Sequence, residues 1–254
     1  DPDIEASPVS MLERLMTRLG ETITRNVLTR MMAVMGSHFV LGRDINEAFK
    51  NGETKHQQGY YYSFDMLGEA ALTAEDAETY FQSYRQAIIS AGEHNHTQKF
   101  QQSASVSIKL SALHPRYEER QRHRVMTELY QTVSLLIREA KHAKVAITID
   151  AEEMDRFELY LDLFEQLYQS KEVQAWGALG VVIQAYSKRA LPTLLWLSAL
   201  AREQKDIIPV RLVKGAYWDT EIKLAQEQGL PNYPVFTKKF VTDLSYLKCA
   251  HILE

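Results

Sequence analysis

Five apolar runs recur between residues 59 and 217 of this chain, each followed by a long amphipathic stretch. They are GYYYSFDML (59–67), SVSIKLSAL (105–113), KVAITIDAE (144–152), GVVIQAY (180–186) and PVRLVKGAY (209–217). Each run reads as a strand, and the segments near 73–92, 118–142, 153–170 and 187–204 between them read as helices. Further helical stretches near 219–228 and 237–253 follow the fifth run. Thr73, with Asp76 three residues on, makes a variant of the capping box at the start of the first of these helices. Strands alternating with helices of this length imply an α/β sheet of parallel strands, either doubly wound or closed into a barrel.

The strand ends decide between the two. Each strand is apolar over most of its length and carries a polar residue toward its C-terminal end: Asp65, Lys109, Asp150, Gln184, then Arg211 and Lys214. In a (β/α)8 barrel, residues from the C-terminal ends of several strands converge on one site. A doubly wound dinucleotide-binding sheet instead concentrates its signature in a glycine-rich turn after the first strand. No G-x-G-x-x-G occurs, so the expected fold is α/β, a (β/α)8 TIM-type barrel. A full barrel of about 250 residues needs eight such units, and the sequence accommodates five. The expectation is a barrel truncated after about five strands, residues 59–254, preceded by an N-terminal helical segment, residues 1–58. Leu12, Leu15, Met16, Leu19 and Ile23 show helical spacing in that segment, and DPDIEASPVS (1–10) reads as the interior of a longer protein.

Composition narrows the function classes. A formal net charge of −4 offers no basic surplus for a general phosphate binder, so DNA binding is not expected from this chain. Cys249 is the single cysteine, which excludes an intrachain disulfide and a cysteine metal cage and fits a cytoplasmic setting. No apolar run approaches the roughly 20 residues of a membrane helix. P-loop, H-E-x-x-H and G-x-S-x-G motifs are missing. His94-Asn95-His96 is a metal seed without a third ligand, better read as a solvated loop.

The polar strand ends carry the chemistry. Lys109 alternates with Val106, Ile108 and Leu110, which take the opposite face; it is either a snorkelling lysine or one at the barrel mouth that holds a carboxylate or forms a Schiff base. Asp150 reads either as a helix N-cap or as a buried acid balancing cations. Gln184 offers a donor and an acceptor, which suits the edge of a flat heterocycle. In VRLVKGAYWD, Arg211 and Val213 share one face and Val210, Leu212 and Lys214 the other. Gly215 and Ala216 leave room for an approach to the backbone, and Tyr217 and Trp218 add aromatic surface with polar tips. A planar anionic cofactor satisfies this set, with Arg211 stabilising charge on a ring and Lys214 meeting a phosphate. The alternative is a core strand with two solvated cations.

At SIKLSALHPRY (107–117), ITIDAEE (147–153), VVIQAY (181–186), RLVKGAYWD (211–219) and YPVFTKKFVTDLSYL (233–247), the chain resembles the proline dehydrogenase domain of bifunctional bacterial proline utilization flavoenzymes. YYYSFDMLGEAALTAEDAE (60–78) is similar to the first barrel strand and following helix of that family. The resemblance implies FAD, held non-covalently, and oxidation of L-proline to Δ1-pyrroline-5-carboxylate. It also implies electron transfer to a quinone, in a cytoplasmic protein with peripheral inner-membrane contact. By the same resemblance, Arg211 lies near flavin N5 and Gln184 at the pyrimidine edge, while Val213, Lys214, Gly215, Ala216 and Trp218 line the flavin. Lys109 and Tyr217 bind substrate, Asp150 stands beside the reacting centre, and Glu69 corresponds to a glutamate paired with an arginine of the final barrel helix. The family's last three strands, its FAD-binding histidine and its paired carboxylate-clamping arginines have no counterpart in the sequence. Two other readings stay open: a Schiff-base lyase using Lys109 or Lys214, and a non-catalytic fragment.

Overall fold

A computed structural model of the protein describes residues 21–95 and 104–254. Leu12, Leu15, Met16, Leu19 and His96 lie outside the described residues. The chain divides into two compact units, Asp1–Tyr60 and Tyr61–Glu254. In the first, helices α1 (Glu21–Phe39) and α2 (Ile45–Gln57) are joined by a short turn. Asp44 caps α2 by accepting the Glu47 N–H at 2.9 Å, satisfying one of the orphan donors of the helix start.

The second unit contains a sheet of five parallel strands: β1 (Ser63–Asp65), β2 (Ser105–Ile108), β3 (Ala146–Ile149), β4 (Leu179–Gln184) and β5 (Val210–Val213). Their spatial order is their sequence order. A doubly wound sheet reverses direction somewhere along that order, whereas a sheet wound always one way puts its crossover helices on a single face. This is the half-barrel expected from the polar strand ends. The crossover helices are α3 (Ala74–His94), α4 (Tyr130–Ala143), α5 (Phe157–Tyr168) and α6 (Ala190–Gln204), with α7 (Trp218–Glu227) and α8 (Lys239–Leu253) after β5. Both halves of the Thr73–Asp76 capping box form.

Strands are shorter than their apolar runs. In the second run, Leu110–Leu113 leaves the sheet as one helical turn, because Ser111 turns its amide to Glu152 and its carbonyl to Ala71. The helix expected over 118–142 is built of a 3-10 turn, a π turn at Val125–Leu129 and then α4.

Period-two alternation sorts the strands cleanly. Phe64, Val106, Ile108, Ile147, Ile149, Val181 and Ile183 are buried on the face covered by helices, where α5 contributes Leu159, Leu163, Phe164 and Leu167 at helical spacing. Ser63, Asp65, Ser107, Lys109, Thr148, Asp150, Gln184, Arg211 and Val213 alternate onto the other face. One helix residue reaches into the sheet itself. The Tyr160 hydroxyl accepts the Val182 N–H at 3.1 Å and lies 3.1 Å from Ile149 O and 3.0 Å from Val182 O, bridging β3 and β4 where their ladder ends at Ile149–Val181. Tyr160→Phe leaves a buried N–H without its acceptor, so it is expected to lower stability by about 1–3 kcal/mol. Urea unfolding of the variant checks this; an unchanged midpoint would show that the hydroxyl is dispensable.

Candidate active site

The registers put the polar face in rows. Val182 is paired with Arg211 and Gln184 with Val213, while Ser107 sits beside Asp65 and Thr148. Continuing the β2–β3 register by one residue sets Lys109 beside Asp150, and the Asp150 N–H is bound to Ile108 O at 2.9 Å. Asp65, Lys109 and Asp150 therefore stand together at the C-terminal ends of β1, β2 and β3, within reach of the Arg211 side chain from β5.

Lys109 Nζ donates to Asp65 Oδ1 at 2.7 Å and lies 3.3 Å from Asp150 Oδ2. Arg211 donates from Nη2 to Asp150 Oδ1 and from Nη1 to Ser107 Oγ at 2.9 Å, with Ser63 Oγ at 3.5 Å. Asp150 thus bridges the two cations. It is no helix cap: the 3-10 turn that follows begins at Met154 behind Glu153. Burial pushes the Asp150 carboxyl above its ordinary value, against the pull of Arg211 and Lys109. Burial also works against the charge on Lys109, but the Asp65 and Asp150 carboxylates outweigh it and raise its pKa. Lys109 and Arg211, cations from two different strands, are thus balanced by carboxylates from two others, Asp65 and Asp150.

Backbone anchors hold this cluster in place. The Tyr84 hydroxyl on α3 accepts the Lys109 N–H at 3.1 Å. Ser111 binds the loop after β1 twice, through Oγ to Ala70 N at 3.0 Å and through its carbonyl to Ala71 N at 2.9 Å. That loop carries Glu69, whose Oε2 accepts the Tyr217 hydroxyl at 3.2 Å. Two residues named from sequence, 148 positions apart, are thereby joined. Burial, with Glu69 next, raises the Tyr217 pKa, so its phenol stays protonated.

Gln184 is buried, donates from Nε2 to Glu152 O at 2.8 Å and accepts the Ala216 N–H at 3.3 Å. One donor and one acceptor of its amide remain. Gly215 serves a purpose different from the expected one. Its φ is +128°, and a Cβ there would sit 2.6 Å from the Tyr186 ring. The room beside its backbone is filled by the chain's own tyrosine. Lys214 leaves the cluster altogether, donating to Asp243 Oδ1 on α8 at 2.6 Å, which raises its pKa. Trp218 donates from Nε1 to Phe236 O at 2.9 Å and stays 40% exposed. Among the described residues no group of three metal-ligating side chains forms.

Sequence reasoning assigned no role to Ser63, Ser107, Tyr84, Glu152 or Glu221. The two serines share the alternation of Asp65 and Lys109, so the period-two pattern contains them. Tyr84 and Glu221 sit on helices and carry no local signal.

The chain as a whole also has relatives. The family model for proline dehydrogenase matches residues 48–253. The bifunctional protein PutA of Escherichia coli is 47% identical over 246 residues, covering 97% of this chain and 19% of the relative. A crystal structure of a Bradyrhizobium japonicum proline utilization A variant is 47% identical, with TM-score 0.80, over 93% of this chain and 24% of that one. Proline utilization A from Bdellovibrio bacteriovorus, inactivated by N-propargylglycine, is 26% identical with TM-score 0.84, over 91% of this chain and 25% of that one. The chain spans about a fifth of the length of its curated bifunctional relative. With the family model covering the whole sheet and the charged strand ends falling inside the match, this chain belongs to the proline dehydrogenase family.

Proposed function

We propose that this chain forms the FAD- and proline-binding part of a barrel that oxidises L-proline to Δ1-pyrroline-5-carboxylate and passes the electrons to a quinone. The observation that carries the reading is the Lys109–Asp150–Arg211 cluster, in which Arg211 reaches from within β5 to the C-terminal ends of β2 and β3, in a chain of this family. Quinones are membrane-borne, so the proposal includes a cytoplasmic protein in peripheral contact with the inner membrane.

The residues present fit a flavin. Gln184 keeps a spare donor and acceptor, as the imide edge of such a ring requires. Arg211 supplies a fixed cation on the same face, and the part-exposed Trp218 lies after the same strand. A flavin bound there would supply the acceptor for a hydride from the proline carbon next to the ring nitrogen. Arg211, Gln184, Val213, Ala216 and Trp218 would hold the flavin, with Lys214 at its phosphates once released from Asp243, while Gly215 lets the chain turn past Tyr186 between them. Arg211, held by Asp150 and Ser107, pre-orients a positive charge where negative charge develops, so no reorganisation is needed at that moment. Lys109 receives the proline carboxylate as a point charge, and Tyr217, fixed by Glu69, packs on the substrate. Holding the substrate in one pose supplies most of the remaining advantage.

The charge state of the lysines speaks against a Schiff-base lyase. Such a lysine needs a depressed pKa to be nucleophilic, and both Lys109 and Lys214 are raised by their carboxylate partners.

Lys109→Ala is expected to raise the KM for proline about 10- to 100-fold, since a charged hydrogen bond is lost, with FAD content kept. Steady-state kinetics together with the flavin absorbance of the purified variant test it. Loss of flavin would move Lys109 out of the substrate site. Proline-dependent bleaching of the flavin band in the parent protein tests the activity itself.

A further inference from the structure

Glu221, in the first turn of α7, is the most deeply buried carboxylate among the described residues at 2% exposure. Its Oε1 accepts the Met154 N–H at 2.7 Å, across 67 positions of sequence. That contact closes a ring. Two residues before Met154, the Glu152 carbonyl accepts Gln184 Nε2. Gln184 Oε1 accepts the Ala216 N–H. Ala216 leads into Tyr217, the N-cap of α7, whose carbonyl accepts the Glu221 N–H at 2.9 Å. The loops after β3 and β5 are thus tied to the end of β4 in one circuit with Gln184 at its centre.

We infer that Glu221 is a positioning residue whose protonation state sets how tightly this circuit holds Gln184. The inference rests on the proposed flavin reading for its functional consequence, but the circuit itself is independent of it. Glu221 is faced by Glu153 and Asp155 from the turn after β3 and by Tyr186 from the loop after β4. The cation of that turn, Arg156, lies 3.5–3.8 Å from Glu152, Glu153 and Asp155. Burial above all, then the neighbouring Asp155 and Glu153, lift Glu221 to about 7, with the Met154 N–H pulling the other way.

The sign follows from linkage. If the loop carrying Met154 moves away and admits water, the carboxyl returns toward its ordinary value of 4.5 and ionises earlier than in the closed circuit. Closure is therefore favoured at low pH, weakens as pH rises from 4.5 toward about 7, and levels off above that. A neutral side chain of the same shape stays closed throughout.

Hydrogen exchange of the peptide spanning 150–156 in the full-length protein, corrected for intrinsic exchange, reads the circuit directly, and FAD titration reads its consequence. In the wild type the opening constant is expected to rise roughly five-fold from about pH 6 to about pH 7 and little beyond about pH 8. Glu221→Gln is expected to remove this dependence and to bind FAD more tightly than wild type at about pH 8, a gain that a purely structural glutamate would not show. Glu221→Ala is expected to loosen the circuit at every pH. A Gln variant that tracks the wild-type curve, or a wild-type curve without pH dependence, overturns the inference. Absence of FAD binding in all variants, with exchange behaving as expected, would instead sink the flavin reading and leave the circuit standing.

Discussion

Arg211→Met is expected to slow proline-driven flavin reduction by about 10²–10³-fold, the usual effect of removing one pre-organised stabiliser of developing charge, and to weaken FAD binding. The variant keeps much of the aliphatic stem but loses every polar contact: Asp150, Ser107 and Ser63 all give up the guanidinium. Asp150 then has Lys109 as its remaining cation, and its half-satisfied carboxylate is left in a buried position, which is costly. Arg211→Lys separates charge from geometry. A lysine restores one positive charge but not the fork that reaches Asp150 and Ser107 together, so it is expected to recover only part of the rate. Stopped-flow bleaching of the flavin band, with flavin content measured in parallel, reads both effects. An unchanged reduction rate in Arg211→Met would remove Arg211 from the chemistry.

Gly215→Ala is expected to destabilise the second unit by about 2–4 kcal/mol, combining backbone strain with overpacking. The residue sits at φ +128°, which side chains rarely adopt, and the added methyl would meet three carbons of the Tyr186 ring at 2.6 Å. The turn cannot easily yield, because the Tyr186 N–H is bound to Lys214 O at 2.8 Å and the Tyr186 carbonyl accepts the Phe236 N–H at 2.8 Å. A thermal midpoint lowered by roughly 5–15 °C is the readout. Shrinking the ring in a Tyr186→Ala background should return the packing part of the loss and leave the backbone part. A neutral Gly215→Ala would mean that the turn after β5 is free to reshape, and the close approach of Tyr186 would lose its meaning.

Much of the site is legible along the chain because barrel strands declare themselves by short-range pattern. Lys109, Asp150 and Gln184 stand at strand ends and Arg211 within β5, all in alternation with apolar residues, and alternation alone says which of them share a face. The same logic separates Arg211 from Lys214, which the structure sends to Asp243 on α8. Gly215 marks where pattern reading falls short. A glycine beside an aromatic cap reads as room for a ligand, yet the ring that fills it comes from the preceding strand end. Glu221 is harder still. In WDTEIK it looks like an acidic residue of a first helical turn, and only the loop folded over it makes it buried.

The sequence by itself determined the element order and the face each polar side chain takes, because these depend on neighbours two to four residues away, and the strand–helix alternation implied parallel pairing. Only the tertiary structure decided the partners: Lys109 with Asp65, Arg211 with Asp150, Tyr217 with Glu69 and Glu221 with Met154, separated by 44, 61, 148 and 67 positions. Such pairs depend on how each crossover helix seats the next strand in register. That register is a property of the packed core, which no local spacing contains.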